Sequence, residues 1–421
     1  MKKLLAGLLL VVALLPAQQN RLLVVSIDGL DHRWLRDADE LGVKIPTLRR
    51  LMREGVRADG VVGIVPTVTW PSHTTMISGV SAPKHGIISN NQPDKPGHRW
   101  WYVSYLKART LWHLTHAKGQ RSAAVWWPVT VGADIDFNLP EFWEDPNYYP
   151  RLLAPVASHS TSGLVERIRA AYPAFGKAHF DDHQKALAAR FILETEKPAL
   201  FLLHLGDLDS AQHATGAFSA NAKATLEHQD ELIGSILEVL PERTFVVIVS
   251  DHGFESEELA LRPKVLLAEE GIEAEVLIAE GLFGVTDPEA AKYFRSLAGK
   301  QKTGVAREVP MAEVRAMAPS LAHWRAAFEP VMGVTAKAAG ITAKDASGDA
   351  PMGLGDQRGH HGLWPTRSDY RASFVVWGPG IAPKLIPEIS MLDIAPTLAD
   401  ILGVKLPEIE GRSLWGAIQS Q

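Results

Sequence analysis

Three short apolar runs in this chain of 421 residues each lead to an acidic residue. Arg21 to Ile27 runs into Asp28, Phe201 to Leu205 leads to Asp209, and Phe245 to Val249 leads to Asp251. His213 stands four residues after Asp209, His252 follows Asp251 directly, and His361 lies in the stretch Gly359-His360-His361-Gly362. Carboxylates and neutral imidazoles are the ligands of borderline divalent metals such as zinc, and two adjacent metals need about six or seven such groups. Each residue alone has an ordinary explanation, because an aspartate at a strand end often closes a turn and a lone histidine is often structural. Together they supply the number and the chemical types that a two-metal hydrolytic site requires.

A different kind of segment is Val65-Pro66-Thr67-Val68-Thr69-Trp70-Pro71-Ser72-His73. It is a proline-bracketed turn feeding the run Thr74 to Ser78, which ends in Gly79. That pattern places a hydroxyl at a helix start, where free backbone amides favour anions. A threonine hydroxyl is a poor nucleophile, but coordination to zinc lowers its pKa and supplies an alkoxide near neutral pH. From spacing alone, Thr69 or Thr67 could equally serve as a helix cap.

These residues need a frame that brings distant segments to one place. The run from Arg21 to Ile27 is apolar and β-rich, as a buried strand is. A helix is predicted over Thr47 to Glu54, with Leu48, Leu51 and Met52 on one face, Pro46 before it and Gly55 after it. Strands alternating with helices imply a mainly parallel sheet covered on both faces. In such open sheets ligands gather at the carboxyl ends of the strands, where the acids lie. The stretch from about 255 to 355 is less regular and is expected to form an inserted cap, after which Ala372 to Trp377, followed by Gly-Pro-Gly, resumes the core.

Composition narrows the partner. The chain carries 43 lysines and arginines against 48 acids, for a net charge of −5, with both signs interspersed. No basic block is present, so binding to a nucleic-acid polymer is not expected and a small molecule is. Lys2 and Lys3, the apolar run Leu4 to Leu15, then Pro16 and Ala17 resemble an export signal. That run is too short to span a bilayer, which takes about 20 residues. Residues 1–19 are therefore expected to be a signal peptide and 20–421 the catalytic domain, exported to the periplasm or the medium without a stable membrane span. There is no cysteine, so neither disulfides nor a cysteine-linked lipid is available.

The ordered motifs resemble the nucleotide pyrophosphatase/phosphodiesterase family of the alkaline phosphatase superfamily. They are Asp28-Gly29, Pro66-Thr-Val-Thr69-Trp-Pro-Ser-His73, His85-Gly-Ile-Ile-Ser-Asn90-Asn91, Asp209-Ser-Ala-Gln-His213, Asp251-His252-Gly253 and His360-His361-Gly362. Arg109 to Trp112, Val125 to Pro128 and the tail from Leu392 to Leu414 are similar to that family as well. The resemblance implies an alkaline-phosphatase-like three-layer α/β core with a central, mainly parallel sheet and an inserted cap. It also implies two zinc ions, one held by Asp28, Thr69, Asp251 and His252, the other by Asp209, His213 and His361. Asn90 then matches the asparagine that holds a non-bridging phosphoryl oxygen, and Trp70 the aromatic residue on which a nucleobase can stack. The implied reaction is in-line attack by Thr69 on phosphorus, a phospho-threonyl ester, and its hydrolysis by water on the second metal.

The chain departs from the family at Gln212, where glycine is usual, and at Ser72, where asparagine is common. His204, Asp207, Asp356 and His360 are extra polar residues near ligand positions, expected to support the ligands or the fold. Asp209-Ser210-Ala211 looks like the nucleophile triplet of ordinary alkaline phosphatases but stands too late in the chain. The Cys/Ser-x-Pro-x-Arg context of sulfatases is missing around Thr69. The expected activity is hydrolysis of phosphodiester or nucleotide pyrophosphate bonds. The alternative is a phosphomonoesterase or phosphonate hydrolase on the same scaffold, which needs a further cation, with Arg99, Lys107, Arg109 and Arg358 as candidates.

Overall fold

The computed structural model describes residues 20–95, 97–143, 153–177, 179–336, 351–354 and 358–419; the expected signal peptide and Asp356 lie outside them. Along Arg21–Ile27 the side chains of Leu23, Val25 and Ile27 enter one hydrophobic cluster, while Leu22 and Val24 enter another. Successive strand side chains point to opposite faces, so a strand buried at every position from Leu22 to Ile27 must be covered on both sides. Helices Pro46–Glu54, Asp182–Thr195 and Ala220–Leu237 cover the first face. Helices Thr69–Ser78, Leu111–Ala117 and Ile394–Leu402 supply most of the second. The result is the three-layer α/β core expected from the sequence.

The central sheet contains β1 (Arg21–Ile27), β2 (Val56–Ala58), β3 (Ser122–Val125), β4 (Phe137–Leu139), β5 (Leu200–Leu205), β6 (Thr244–Val249), β7 (Phe374–Trp377) and β8 (Lys384–Ile386). Their order is β8-β2-β7-β6-β1-β5-β3-β4. All neighbours are parallel except β7, which runs against both β6 and β2. The strand that resumes the core is thus the antiparallel member, and it begins at Phe374, two residues later than its apolar pattern suggests. Strand β1 lies at the centre, with Ile27 opposite Leu205 of β5 and Ser26 opposite Val249 of β6.

Between β6 and β7 the chain leaves this sheet. It forms a four-stranded antiparallel sheet from Leu277–Ala279, Leu282–Val285, Val305–Val309 and Ala326–Pro330. This sheet has its own apolar cluster around Leu261, Phe283, Phe294 and Phe328. Buried Arg367 fastens it to the returning segment through a bidentate pair with Glu255, at 2.7 and 2.9 Å, and by donating to the carbonyls of Pro330 and Val331.

Candidate active site

The ends of β1, β5 and β6 deliver the three acids. Asp28 follows β1 directly, Asp251 lies two residues past β6, and Asp209 sits in the first turn of helix Asp207–Thr215, which follows β5. His213 is one helical turn on from Asp209, so both project from one face, with Nε2 3.3 Å from Asp209 Oδ1. Gly29 closes the turn after Asp28 at φ +67°, where a side chain is strained; its amide donates to Asp251 Oδ1 at 3.1 Å and so ties the first acid to the third. His252 Nε2 lies 3.3 Å from Asp28 Oδ1 and 3.1 Å from Asp251 Oδ2. His361, from the far side of the insertion, stacks on His252 at 3.7 Å and brings Nε2 to 3.7 Å from Asp209 Oδ1.

Each of the three imidazoles faces a backbone carbonyl with Nδ1. His213 meets Gly359 at 2.9 Å, His252 meets Gly253 at 3.1 Å and His361 meets Thr67 at 3.4 Å. A carbonyl only accepts, so each Nδ1 carries the proton and Nε2 is turned to the carboxylates, the tautomer a metal ligand needs. Asp28 Oδ1, Asp209 Oδ1, Asp251 Oδ2 and His252 Nε2 are buried without an aligned hydrogen bond. Orphaned buried acceptors are costly, and a divalent cation is the partner that suits this donor set. Ligand atoms of Asp28, Asp251 and His252, and of Asp209, His252 and His361, lie within 4.8 Å of one another. His252 belongs to both groups and so stands between the two positions that the resemblance separates.

The electrostatics agree. Burial and the neighbouring charge of Asp209 raise the pKa of Asp28. Burial would do the same at Asp209, but the close approach and charge of His213, with His361 and His252, outweigh it and hold that carboxyl below the usual range. Burial opposes charge on His252, yet Asp251 and Asp28 raise its pKa well above the ordinary value. His361 is pushed down to about 3 by burial and by the charge of His252. Burial likewise opposes charge on His213, yet Asp209 raises its pKa; among protein groups alone the carboxylates favour protons on His252 and His213, which metals would displace.

Thr69 is the first residue of helix Thr69–Ser78, whose ten residues are all buried. Thr67 does not cap this helix; its hydroxyl donates to Leu363 O at 2.6 Å. Asn90 Oδ1 accepts from the Trp70 amide at 3.0 Å, which commits the oxygen and leaves the Nδ2 donors for another partner. Asp28, Thr69, Trp70, Asn90, Asp209, His213 and His361 line one cavity of about 290 Å³, together with Arg99, Glu141 and His204. Asp251 and His252, at 0% and 1% exposure, lie buried in contact with Asp28. Trp70 is 4% exposed: Trp101 and Trp143 meet it edgewise and the Arg99 guanidinium lies over its ring at 5.0 Å.

Several supports surround these residues. His204 Nε2 is 3.1 Å from Asp28 Oδ2, and its Nδ1 faces Trp126 O at 3.1 Å. Gln212, the departure from glycine, leaves the helix unbroken; it donates to Gly29 O at 2.9 Å and accepts from Trp34 at 3.2 Å, bracing the turn after Asp28. His360 pairs with Glu255 in a short antiparallel ladder, on the side of the strand opposite His361. Sequence reasoning missed Asp182. Fully buried, it accepts from the amides of Gly206 and Asp207 at 2.9 Å each, from Gln229 at 2.7 Å and from Lys185 at 2.7 Å. Lys185 is itself fully buried and lies 5.0 Å over Trp126, a wall of the cavity. The pair pins the loop from which Asp209 emerges. Glu141 was missed as well, because Pro140-Glu141-Phe142-Trp143 carries no spacing signal.

Comparison with known proteins fits this arrangement. Rat ectonucleotide pyrophosphatase/phosphodiesterase family member 3 is 24% identical over 255 residues, 56% of this chain and 25% of the rat protein. A venom phosphodiesterase of Naja atra is 23% identical over 251 residues, 56% of this chain and 26% of its own length. The chain thus matches about a quarter of the length of these relatives. The solved structure of murine ectonucleotide pyrophosphatase/phosphodiesterase 5 superposes with a TM-score of 0.59 at 18% identity, covering 95% of this chain and 99% of the murine one. The human counterpart gives 0.59 at 19% identity, covering 95% and 99%. The model of the type I phosphodiesterase/nucleotide pyrophosphatase family matches residues 22–347, from β1 into the insertion. With the match running over most of the length and through the strand ends that carry the acids, the chain belongs to the type I phosphodiesterase/nucleotide pyrophosphatase family.

Proposed function

We propose that the protein is a two-zinc phosphoric ester hydrolase that cleaves phosphodiester or nucleotide pyrophosphate bonds through a covalent phospho-threonine at Thr69. The observation that carries this reading is the shared cavity, in which Thr69 at a helix start faces the space bounded by Asp28, Asp209, His213 and His361. Asp28, Thr69, Asp251 and His252 would hold one ion, and Asp209, His213 and His361 the other. What zinc supplies when bound is Lewis-acid stabilisation of the threonine alkoxide and of charge on the phosphoryl oxygens. Thr69 Oγ1 forms the new bond to phosphorus as the bond to the leaving oxygen breaks, and water then cleaves the phospho-threonyl ester. Asn90, anchored by its oxygen, directs Nδ2 to a non-bridging oxygen. Trp70 flanks the leaving group. A neighbour's structure adds support: murine ectonucleotide pyrophosphatase/phosphodiesterase 5 was also solved as an inactive threonine-to-alanine variant in complex with AMP.

No helix among the described residues is long and apolar enough to cross a membrane, and with the leader-like residues 1–19 we place the protein outside the cytoplasm. One observation favours the second reading, a phosphomonoesterase: the required cation exists, because Arg99 lines the cavity. The test is turnover of bis(p-nitrophenyl) phosphate by zinc-loaded protein, with acid-quench mass spectrometry for phosphate on Thr69. Thr69→Ala should lose both the adduct and roughly a thousandfold or more of kcat. Near-normal turnover in the variant refutes the nucleophile.

A further inference from the structure

We infer that Arg99 selects substrates bearing a second negative charge on, or next to, the phosphoryl group under attack. The inference deepens the proposed function and rests on it. Among the described residues that line the cavity, Arg99 is the one lysine or arginine, whereas Asp28, Asp209 and Glu141 contribute three carboxyl groups. Apart from any bound metal and the ligand histidines, Arg99 is the lining cation that offsets those carboxyl groups for a second substrate charge.

The placement of Arg99 is built. Asn91 and Arg99 form an antiparallel bridge, and Gln92 locks it by donating its amide to His98 O and its Nε2 to Arg99 O, both at 2.8 Å. Asn90 and Arg99 therefore leave opposite sides of one hairpin, and Asn90 is fixed to the helix of Thr69 through the Trp70 amide. The backbone of Arg99 is two steps removed from the nucleophile's helix. Its guanidinium lies 5.0 Å from the Trp70 ring centre and 5.8 Å from that of Trp143. That places the cation at the cavity wall beside Trp70, and the planar fork of a guanidinium suits paired phosphate oxygens.

A simple diester offers one negative charge, which Asn90 and the metals address. A phosphomonoester dianion carries its second charge on the reacting phosphoryl group, and a nucleotide pyrophosphate carries it on the adjoining phosphate. Arg99 serves either. The same stacking covers a face of Trp70, so substrate choice turns on charge more than on base stacking.

The experiment compares kcat/KM of zinc-loaded wild type, Arg99→Gln and Arg99→Lys on bis(p-nitrophenyl) phosphate, p-nitrophenyl phosphate and ATP. Arg99→Gln should lose about 10- to 150-fold on one or both of the multiply charged substrates. The singly charged diester should stay within about threefold, and lysine should restore part of the loss. Loss confined to p-nitrophenyl phosphate places the charge on the reacting group; loss confined to ATP places it on the neighbour. Equal losses on all three substrates, or none, overturn the inference. Calorimetry of ATP binding to Thr69→Ala protein with and without Arg99→Gln reads the same contact without turnover. Unchanged affinity there overturns the inference by itself, while tenfold weaker binding in a protein that turns nothing over would retire only the proposed activity.

Discussion

Replacing Asp182 by alanine should unfold the protein several degrees earlier and disable the loop of Asp209. The carboxylate is fully buried and accepts four hydrogen bonds, one from the equally buried Lys185. Breaking a buried ion pair by removing one partner costs about 3–5 kcal/mol, because the remaining charge is left without compensation. At about 2.1 cal/mol/K per residue the unfolding entropy of 421 residues is roughly 0.9 kcal/mol/K, so the midpoint should fall by about 3–6 °C. The assay is thermal unfolding by circular dichroism with chelator present, so that metal affinity does not enter. Asp182→Ala/Lys185→Met should recover part of the loss, since no charge is then stranded, but the amides of Gly206 and Asp207 still lack an acceptor and about 1–3 kcal/mol should remain. A single variant within 1 kcal/mol of wild type, or a double variant no better than the single, refutes the reasoning.

Purified active protein should contain two zinc ions per chain by elemental analysis, with His361→Ala losing one and His360→Ala retaining both. One ion or none in active protein contradicts the assignment. Trp70→Ala should lower kcat/KM on nucleotide substrates by about 5- to 150-fold if the ring stacks on a base; an equal loss on a small alkyl diester would mean that the ring only holds Arg99 and the cavity wall. Burial raises the carboxyl of Glu280 from 4.5 to about 7. Its contribution to stability is therefore complete below pH 4.5 and is lost as pH rises through 7, because the unfolded chain releases its proton first. Glu280→Gln should accordingly be more stable than wild type by about 1–3 kcal/mol at pH 8 and equal to it at pH 4, read from urea unfolding.

The three acids were legible because buried parallel strands leave short, mostly apolar runs, and the residues that follow such runs stand at the site edge. Gly29 beside Asp28 and the four-residue step from Asp209 to His213 carried local geometry in their spacing. Asp182 and Lys185 were not legible: charges three apart on a helix look like a solvated face, and only the tertiary fold shows both at zero exposure. Gln212 showed as a departure from glycine, but not its use: the helix continues and the longer side chain reaches the turn after Asp28. The reversed direction of β7 left no trace either, since an apolar strand reads the same whichever way it runs.

The central position of β1 has a further consequence. Its neighbours on both sides pair with it in register up to the last residues before the acids, and paired strands stand about 4.8 Å apart. The spacing of the strand ends from which the chain continues to Asp28, Asp209 and Asp251 is therefore inherited from the hydrogen-bond repeat of the backbone, which no side-chain replacement in a strand can stretch. The segments between those strands have no such gauge. They can lengthen, shorten or exchange aromatic and charged residues around the cavity while the carboxylates keep their distances. A scaffold of this kind separates what it does to a phosphorus atom from which molecule it admits, and chain drift erodes the second long before the first.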